Sequence, residues 1–115
     1  MKASTPSPSV AQYQILLALL AGEKHGYAIM QDVEALSDGT VRLGPGTLYG
    51  AIKRLIEQNW IEESGDRPDP ILDDERRRYY RLTGIGREVV LQQHRHLQRL
   101  VGFANSHLSV AWRTI

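Results

Sequence analysis

The sequence predicts a mainly α-helical fold with one two-stranded β hairpin placed ahead of a long final helix. Three observations predict it. Apolar residues recur at three- and four-residue spacing, the helical period, in four separate segments. Alternation replaces that period only around 60–63 and 75–82, on either side of a loop containing Pro68 and Pro70. Breaks at Gly22, Ser37-Asp38-Gly39, Gly44-Pro45 and Asn59 separate the segments. Three short helices, a hairpin and a long helix is the element order of a winged helix-turn-helix with an appended C-terminal helix.

Each element has its own signal. Residues 1–8, polar and holding Pro6 and Pro8, read as a disordered arm. Val10 to Ala21 reads as a first helix, with Ile15, Leu16, Leu19 and Leu20 at helical spacing and Gly22 as the stop. It is apolar enough to be covered on more than one side. His25-Gly26-Tyr27 opens a second helix, whose Tyr27, Ile29, Met30, Val33 and Leu36 form one stripe while Gln31, Asp32 and Glu34 face out. Thr40 to Leu43 has the character of a very short strand. A third helix is expected over Thr47 to Gln58, with Asn59 taking the left-handed conformation that ends helices. Trp60 to Glu63 and Glu75 to Leu82 are the hairpin strands. On the second, Arg77, Tyr79 and Arg81 fall on one side, and Arg78, Tyr80 and Leu82 on the other. Thr83 caps the last helix, whose Ile85, Val89, Val90, Leu97, Leu100, Val101, Ala104 and Leu108 keep the helical period. The division is an arm over 1–8, a winged helix over 9–83, and a dimerisation helix and tail over 84–115.

Composition narrows the function. A chain of 115 residues, 42% hydrophobic, suits one small domain whose stability draws partly on a partner chain. With no cysteine, disulfides, thiolate metal sites and cysteine nucleophiles are excluded. The polar start gives no signal-peptide pattern, and no apolar run reaches the roughly 18 residues of a membrane span, so a cytoplasmic chain away from the membrane is expected. The formal net charge of +1 is no argument for nucleic acid, but its distribution is uneven. Arg76, Arg77, Arg78 and Arg81 cluster directly after Asp66, Asp69, Asp73, Asp74 and Glu75. His94 and His96 lie about 200° apart on a helix and cannot share a metal within one chain, and the acidic loop matches no calcium-binding spacing. No nucleophile–base pair or phosphate loop stands out, so neither catalysis nor a cofactor is expected.

Three segments together carry a family resemblance. His25-Gly26-Tyr27-Ala28-Ile29, then Gly46-Thr47-Leu48-Tyr49-Gly50-Ala51-Ile52-Lys53-Arg54-Leu55, then Arg78-Tyr79-Tyr80-Arg81-Leu82-Thr83 followed by Gly86 resemble the PadR family of transcriptional regulators. The resemblance covers roughly residues 10 to 108. It implies a winged helix with a C-terminal dimerisation helix, and a regulator, mostly a repressor, that binds double-stranded operator DNA as a homodimer. Some members respond to small aromatic compounds. This chain departs in having Gly50 where proline often follows the tyrosine, and in a short C-terminal part like that of members with a single long helix.

Site residues follow from placing that expectation on the helices. At about 100° per residue, Leu48, Ala51, Ile52, Leu55 and Asn59 share one side of the third helix, and Gly46, Thr47, Gly50, Lys53 and Arg54 the other. Tyr49 lies at the border. A small, basic outer face is what a recognition helix needs in the major groove, and its N-terminus offers N–H groups to a phosphate. Thr47 and Lys53 are the candidates for base or phosphate contact, Tyr49 for a phosphate, and Arg54 for either role. Gly50 costs about 1 kcal/mol relative to alanine within a helix. Close approach of DNA and a close helix crossing both explain it. Arg76 and Arg78 are the wing candidates, and Lys24, His25 and Tyr27 are second-rank phosphate candidates. The dimer interface is assigned to Leu97, Leu100, Val101, Ala104 and Leu108, with Ile15 and Leu19 of the first helix. Trp112 is read as an interface anchor, with an aromatic ligand wall as its alternative. Two other functions compete: a small-molecule sensor with its ligand at the dimer interface, and a winged-helix module for protein partners.

Overall fold

A computed structural model describes residues 7–66 and 78–108 of the chain. Its elements are α1 (Val10–Leu20), β1 (Lys24–His25), α2 (Gly26–Leu36), α3 (Pro45–Glu57), β2 (Ile61–Asp66), β3 (Arg78–Leu82) and α4 (Gly84–His107). Residues 1–6 of the expected arm, the acidic loop after Asp66, Arg76, Arg77 and Trp112 lie outside the described residues.

Local chemistry sets the helix starts. Ser9 and Gln12 form a reciprocal capping box at α1, with Ser9 Oγ accepting from the Gln12 N–H at 3.1 Å and Gln12 Oε1 from the Ser9 N–H at 2.9 Å. His25 caps α2, its Nδ1 accepting from the Ala28 N–H at 3.2 Å. Thr83 caps α4 as the sequence predicts, its Oγ1 accepting from the Gly86 N–H at 2.9 Å. α3 begins two residues before the predicted Thr47, because Pro45 supplies a first helical residue whose φ is already set. Asn59 adopts φ 64° just past α3, the left-handed conformation predicted for it.

The sheet has three antiparallel strands in the order β1-β3-β2, one more than the hairpin predicted. Lys24 pairs with Tyr80 and His25 with Tyr79, and the His25 and Tyr79 rings meet edge to face at 5.3 Å. On the other edge Ile61 faces Leu82, Glu62 faces Arg81 and Glu63 faces Tyr80, before a bulge between Glu63 and Gly65. The expected strand at Thr40 to Leu43 does not form. Ser37 claims that segment locally: its Oγ accepts from the Val41 N–H at 2.9 Å, and Thr40 Oγ1 donates to the Ser37 carbonyl at 2.7 Å.

The core lies where α1, α2 and α3 meet the inner face of the sheet. Ile15, Leu16, Leu19, Ile29, Val33, Leu48, Ile52, Leu55, Trp60, Ile61, Tyr80 and Leu82 are all buried there. This corrects one assignment. Ile15 is 0% and Leu19 2% exposed within a single subunit, so neither has surface left for a dimer interface. α1 is apolar on several sides because α2, β3 and α4 of its own subunit cover it. Only the start of α4 joins this core, through Gly86, Val89 and Val90. Beyond Val90 no residue of α4 is buried, and Leu97, Leu100, Val101, Ala104 and Leu108 are exposed on the side that continues the core-facing stripe. No helix among the described residues is long and apolar enough to cross a membrane.

Candidate nucleic-acid interface

α3 presents two unlike sides. Leu48, Ile52 and Leu55 are buried in the core, while Gly46, Thr47, Gly50, Lys53 and Arg54 are exposed. The division predicted from angular spacing holds for Leu48, Ile52 and Leu55, whereas Ala51 is half-buried and Asn59, predicted on the core side, is exposed past the end of the helix. A Cβ built on Gly46 or Gly50 would meet nothing within 4 Å. A helix crossing within the subunit thus does not explain Gly50. Gly44 caps α3 with no side-chain hydrogen bond, leaving first-turn N–H groups open beside Thr47. Lys53 and Arg54 make no ion pair among the described residues.

Tyr49 is half-buried, not at the open surface. Its ring lies across Gly26 at the start of α2, where the ring carbon Cζ would stand 2.7 Å from an added Cβ. Lys24 and His25 serve the fold directly. The Lys24 ammonium pairs with Asp32 at 3.3 Å, and its side chain is only 20% exposed. His25 is spent on the α2 cap and the Tyr79 ring. Tyr27, the second residue of α2, is exposed.

The wing meets α3 across a cleft of about 470 Å³, lined by Tyr49, Lys53, Ile56 and Glu57 from the helix and by Glu63, Arg78 and Tyr80 from the sheet. Lys53 and Arg78, named separately from the sequence, line one surface. Arg78 Nε lies 3.5 Å from Glu63 Oε2, and on the opposite face of the hairpin Arg81 Nε contacts Glu62 Oε2 at 2.7 Å. Sequence reasoning missed Glu57 and Glu63. The strand alternation held the signal for Glu63, since pairing Ile61 with Leu82 puts Glu63 on the side of Tyr80 and Arg78.

A second groove of about 360 Å³ runs between the start of α1 and α4, lined by Pro8, Val10, Tyr13, Gln14, Leu17, Leu36, Gln93 and Leu97. Gln14 Oε1 is buried there with no hydrogen-bond partner among the described residues. Phe103, also missed, is 68% exposed and stacks on His107 at 4.3 Å. Among the described residues no cluster of His, Asp and Glu could hold a metal ion.

Comparison with known proteins agrees with this architecture. The family model described as the transcriptional regulator PadR-like family matches residues 15–92, from α1 into α4. A Streptomyces fradiae protein, described as an uncharacterized 37.1 kDa protein in transposon TN4556, is 38% identical over 92 residues. That match covers 80% of this chain, which spans only 24% of the relative's length. A PadR family transcription regulator from Clostridium difficile superposes with a TM-score of 0.69 at 23% identity, over 88% of this chain and all of that one. Bordetella bronchiseptica BpsR, whose DNA binding is regulated by 6-hydroxynicotinic acid, gives a TM-score of 0.67 at 21% identity, over 97% of this chain and 76% of its own. These structural likenesses speak for the fold. With its winged-helix DNA-binding fold, the chain belongs to the PadR-like family of transcriptional regulators.

Proposed function

We propose that the chain is a cytoplasmic repressor that binds a near-palindromic DNA operator as a homodimer, by binding alone and without catalysis. Residues 9–83 form the DNA-binding unit and 84–115 the dimerising segment. α3 enters the major groove, where Thr47 and Lys53 contact bases or phosphates and Gly46 and Gly50 let the helix backbone come close. Arg54 and Tyr49 lie at the rim of that contact. Arg78, and with it Arg76, reaches flanking phosphates. Lys24, His25 and Tyr27 are second-rank phosphate contacts, Lys24 and His25 also holding the start of α2.

The observation that carries this reading is the outer face of α3. It is small, basic and exposed, and it adjoins a wing arginine in one cleft. Dimerisation is supported by the exposed stripe of Leu97, Leu100, Val101, Ala104 and Leu108, which a subunit this small leaves uncovered. One winged helix contacts few base pairs, so two are needed for useful specificity. The test is a footprint on the DNA upstream of the chain's own gene, with stoichiometry measured at saturation. Protection of an inverted repeat by two chains is expected. Uniform coverage without a protected site contradicts the reading.

One feature favours an effector. The apolar groove between α1 and α4 has room for a small aromatic compound and a buried amide acceptor, Gln14 Oε1, for a hydroxyl donor. BpsR offers a precedent of the same fold. Titrating hydroxylated aromatic acids against the DNA complex and reading its release tests this, and release by none of them at millimolar concentration contradicts it.

A further inference from the structure

We infer that Glu63 gates the cleft between α3 and the wing, standing on Arg78 in the free protein where a DNA phosphate stands in the complex. The inference rests on the DNA-binding reading and deepens it. With α3 in the major groove and the wing on the neighbouring minor groove, the sugar–phosphate strand between the two grooves must run through this cleft. The cleft is not prepared for it electrostatically. Among the described residues, Lys53 and Arg78 supply it with two cations, and Glu57 and Glu63 with two carboxylates. A strand of phosphates entering there meets as much repulsion as attraction.

Geometry sets Glu63 apart. It lies opposite Tyr80 and diagonal to Arg78, just before the bulge, so both side chains project from the same face of the wing. Arg78 Nε to Glu63 Oε2 is one contact at 3.5 Å, with the side chains 54% and 47% exposed. So open a pair is weak and readily exchanged. Arg78 therefore offers its whole guanidinium fork to a phosphate only by giving up Glu63, and the carboxylate remains close to the DNA strand whether displaced or not. Both effects hold down affinity for any sequence, so the contacts on α3 decide where the dimer settles. Glu62 carries the same charge one residue earlier. It faces the other way, paired with Arg81 at 2.7 Å and outside the cleft.

The experiment uses the full chain and two fluorescent duplexes, the region upstream of its own gene and an unrelated sequence, titrated by anisotropy between about 50 and 200 mM salt. Glu63→Gln tightens binding to both by about three- to tenfold at the low end and steepens the dependence of log K on log salt. Glu63→Ala acts in the same direction. Arg78→Ala weakens binding about twofold in the wild-type background and at least fivefold in Glu63→Gln. Glu62→Gln changes affinity less than twofold. The gate is overturned if the wild type binds and Glu63→Gln is no tighter, if Glu62→Gln tightens binding equally, or if Arg78→Ala costs the same in both backgrounds. If the folded wild type binds neither duplex, the DNA-binding reading fails, and the gate with it.

Discussion

Tyr49 on α3 lies so close over Gly26 on α2 that a methyl group at position 26 has no room: Cζ would be 2.7 Å away and the hydroxyl oxygen nearer still. Two segments 23 positions apart in sequence are thus one contact in space, and that contact fixes how α3 sits on α2. Alanine at a helical position normally gains about 1 kcal/mol over glycine. Here overpacking outweighs it, costing about 1–3 kcal/mol. Gly26→Ala is expected to lower stability by about 1 kcal/mol net in urea. Combined with Tyr49→Ala, it should cost clearly less than the sum of the two single changes. Additive costs would mean the contact is not the constraint.

Gly86 is a stricter case, because the obstacle is backbone. An added Cβ would run into the Trp60 carbonyl oxygen, with the carbonyl carbon at 2.9 Å and Leu82 Cδ2 at 3.3 Å. That carbonyl also accepts from the Thr83 N–H at 3.1 Å, so it cannot swing away cheaply. Gly86→Ala should lose about 3 kcal/mol or more. Gly102→Ala, in open space on the same helix, should gain up to about 1 kcal/mol. Urea midpoints of the two variants check this directly.

Gly50→Ala separates stability from function. Nothing lies within 4 Å of the added methyl, so helix propensity alone acts, and the folded state should gain about 0.5–1 kcal/mol. If DNA approaches the α3 backbone there, operator affinity should fall, by about fivefold or more, in the same variant. A more stable protein with unchanged affinity would place the DNA contact elsewhere on α3.

Leu100 and Val101 are 52% and 57% exposed within a subunit, so charging them costs the isolated fold little. Leu100→Glu or Val101→Glu buried between two copies would be severe. Each variant is expected to sediment as a folded monomer and to lose operator binding at physiological salt. A variant that stays dimeric places the interface elsewhere.

Much of this was legible in the sequence, for identifiable reasons. The two sides of α3 could be read because Leu48, Ile52 and Leu55 obey a local period that burial does not alter. Thr83 and Asn59 were readable as termini because capping is local chemistry. What escaped was non-local. β1 is two residues, Lys24 and His25, and exists only because β3 pairs with it from more than fifty residues away. Ile15 and Leu19 are apolar in either setting, and only the packed fold shows that their own subunit covers them. The sequence places Glu63 only at the end of a hairpin strand, and its register against β3 is what puts it beside Arg78. The early start of α3 is different, since Gly44-Pro45 carried the signal for a proline at the first helical position.

The most direct measurement compares Lys53→Ala with the wild type in anisotropy titrations at about 150 mM salt, against an inverted repeat from upstream of the gene and a scrambled copy. If the outer face of α3 reads DNA, the wild type prefers the repeat by at least a hundredfold, and Lys53→Ala binds it about tenfold more weakly with its fold intact. Equal wild-type affinity for both duplexes, or a Lys53→Ala variant that binds the repeat as tightly as the wild type, would contradict it.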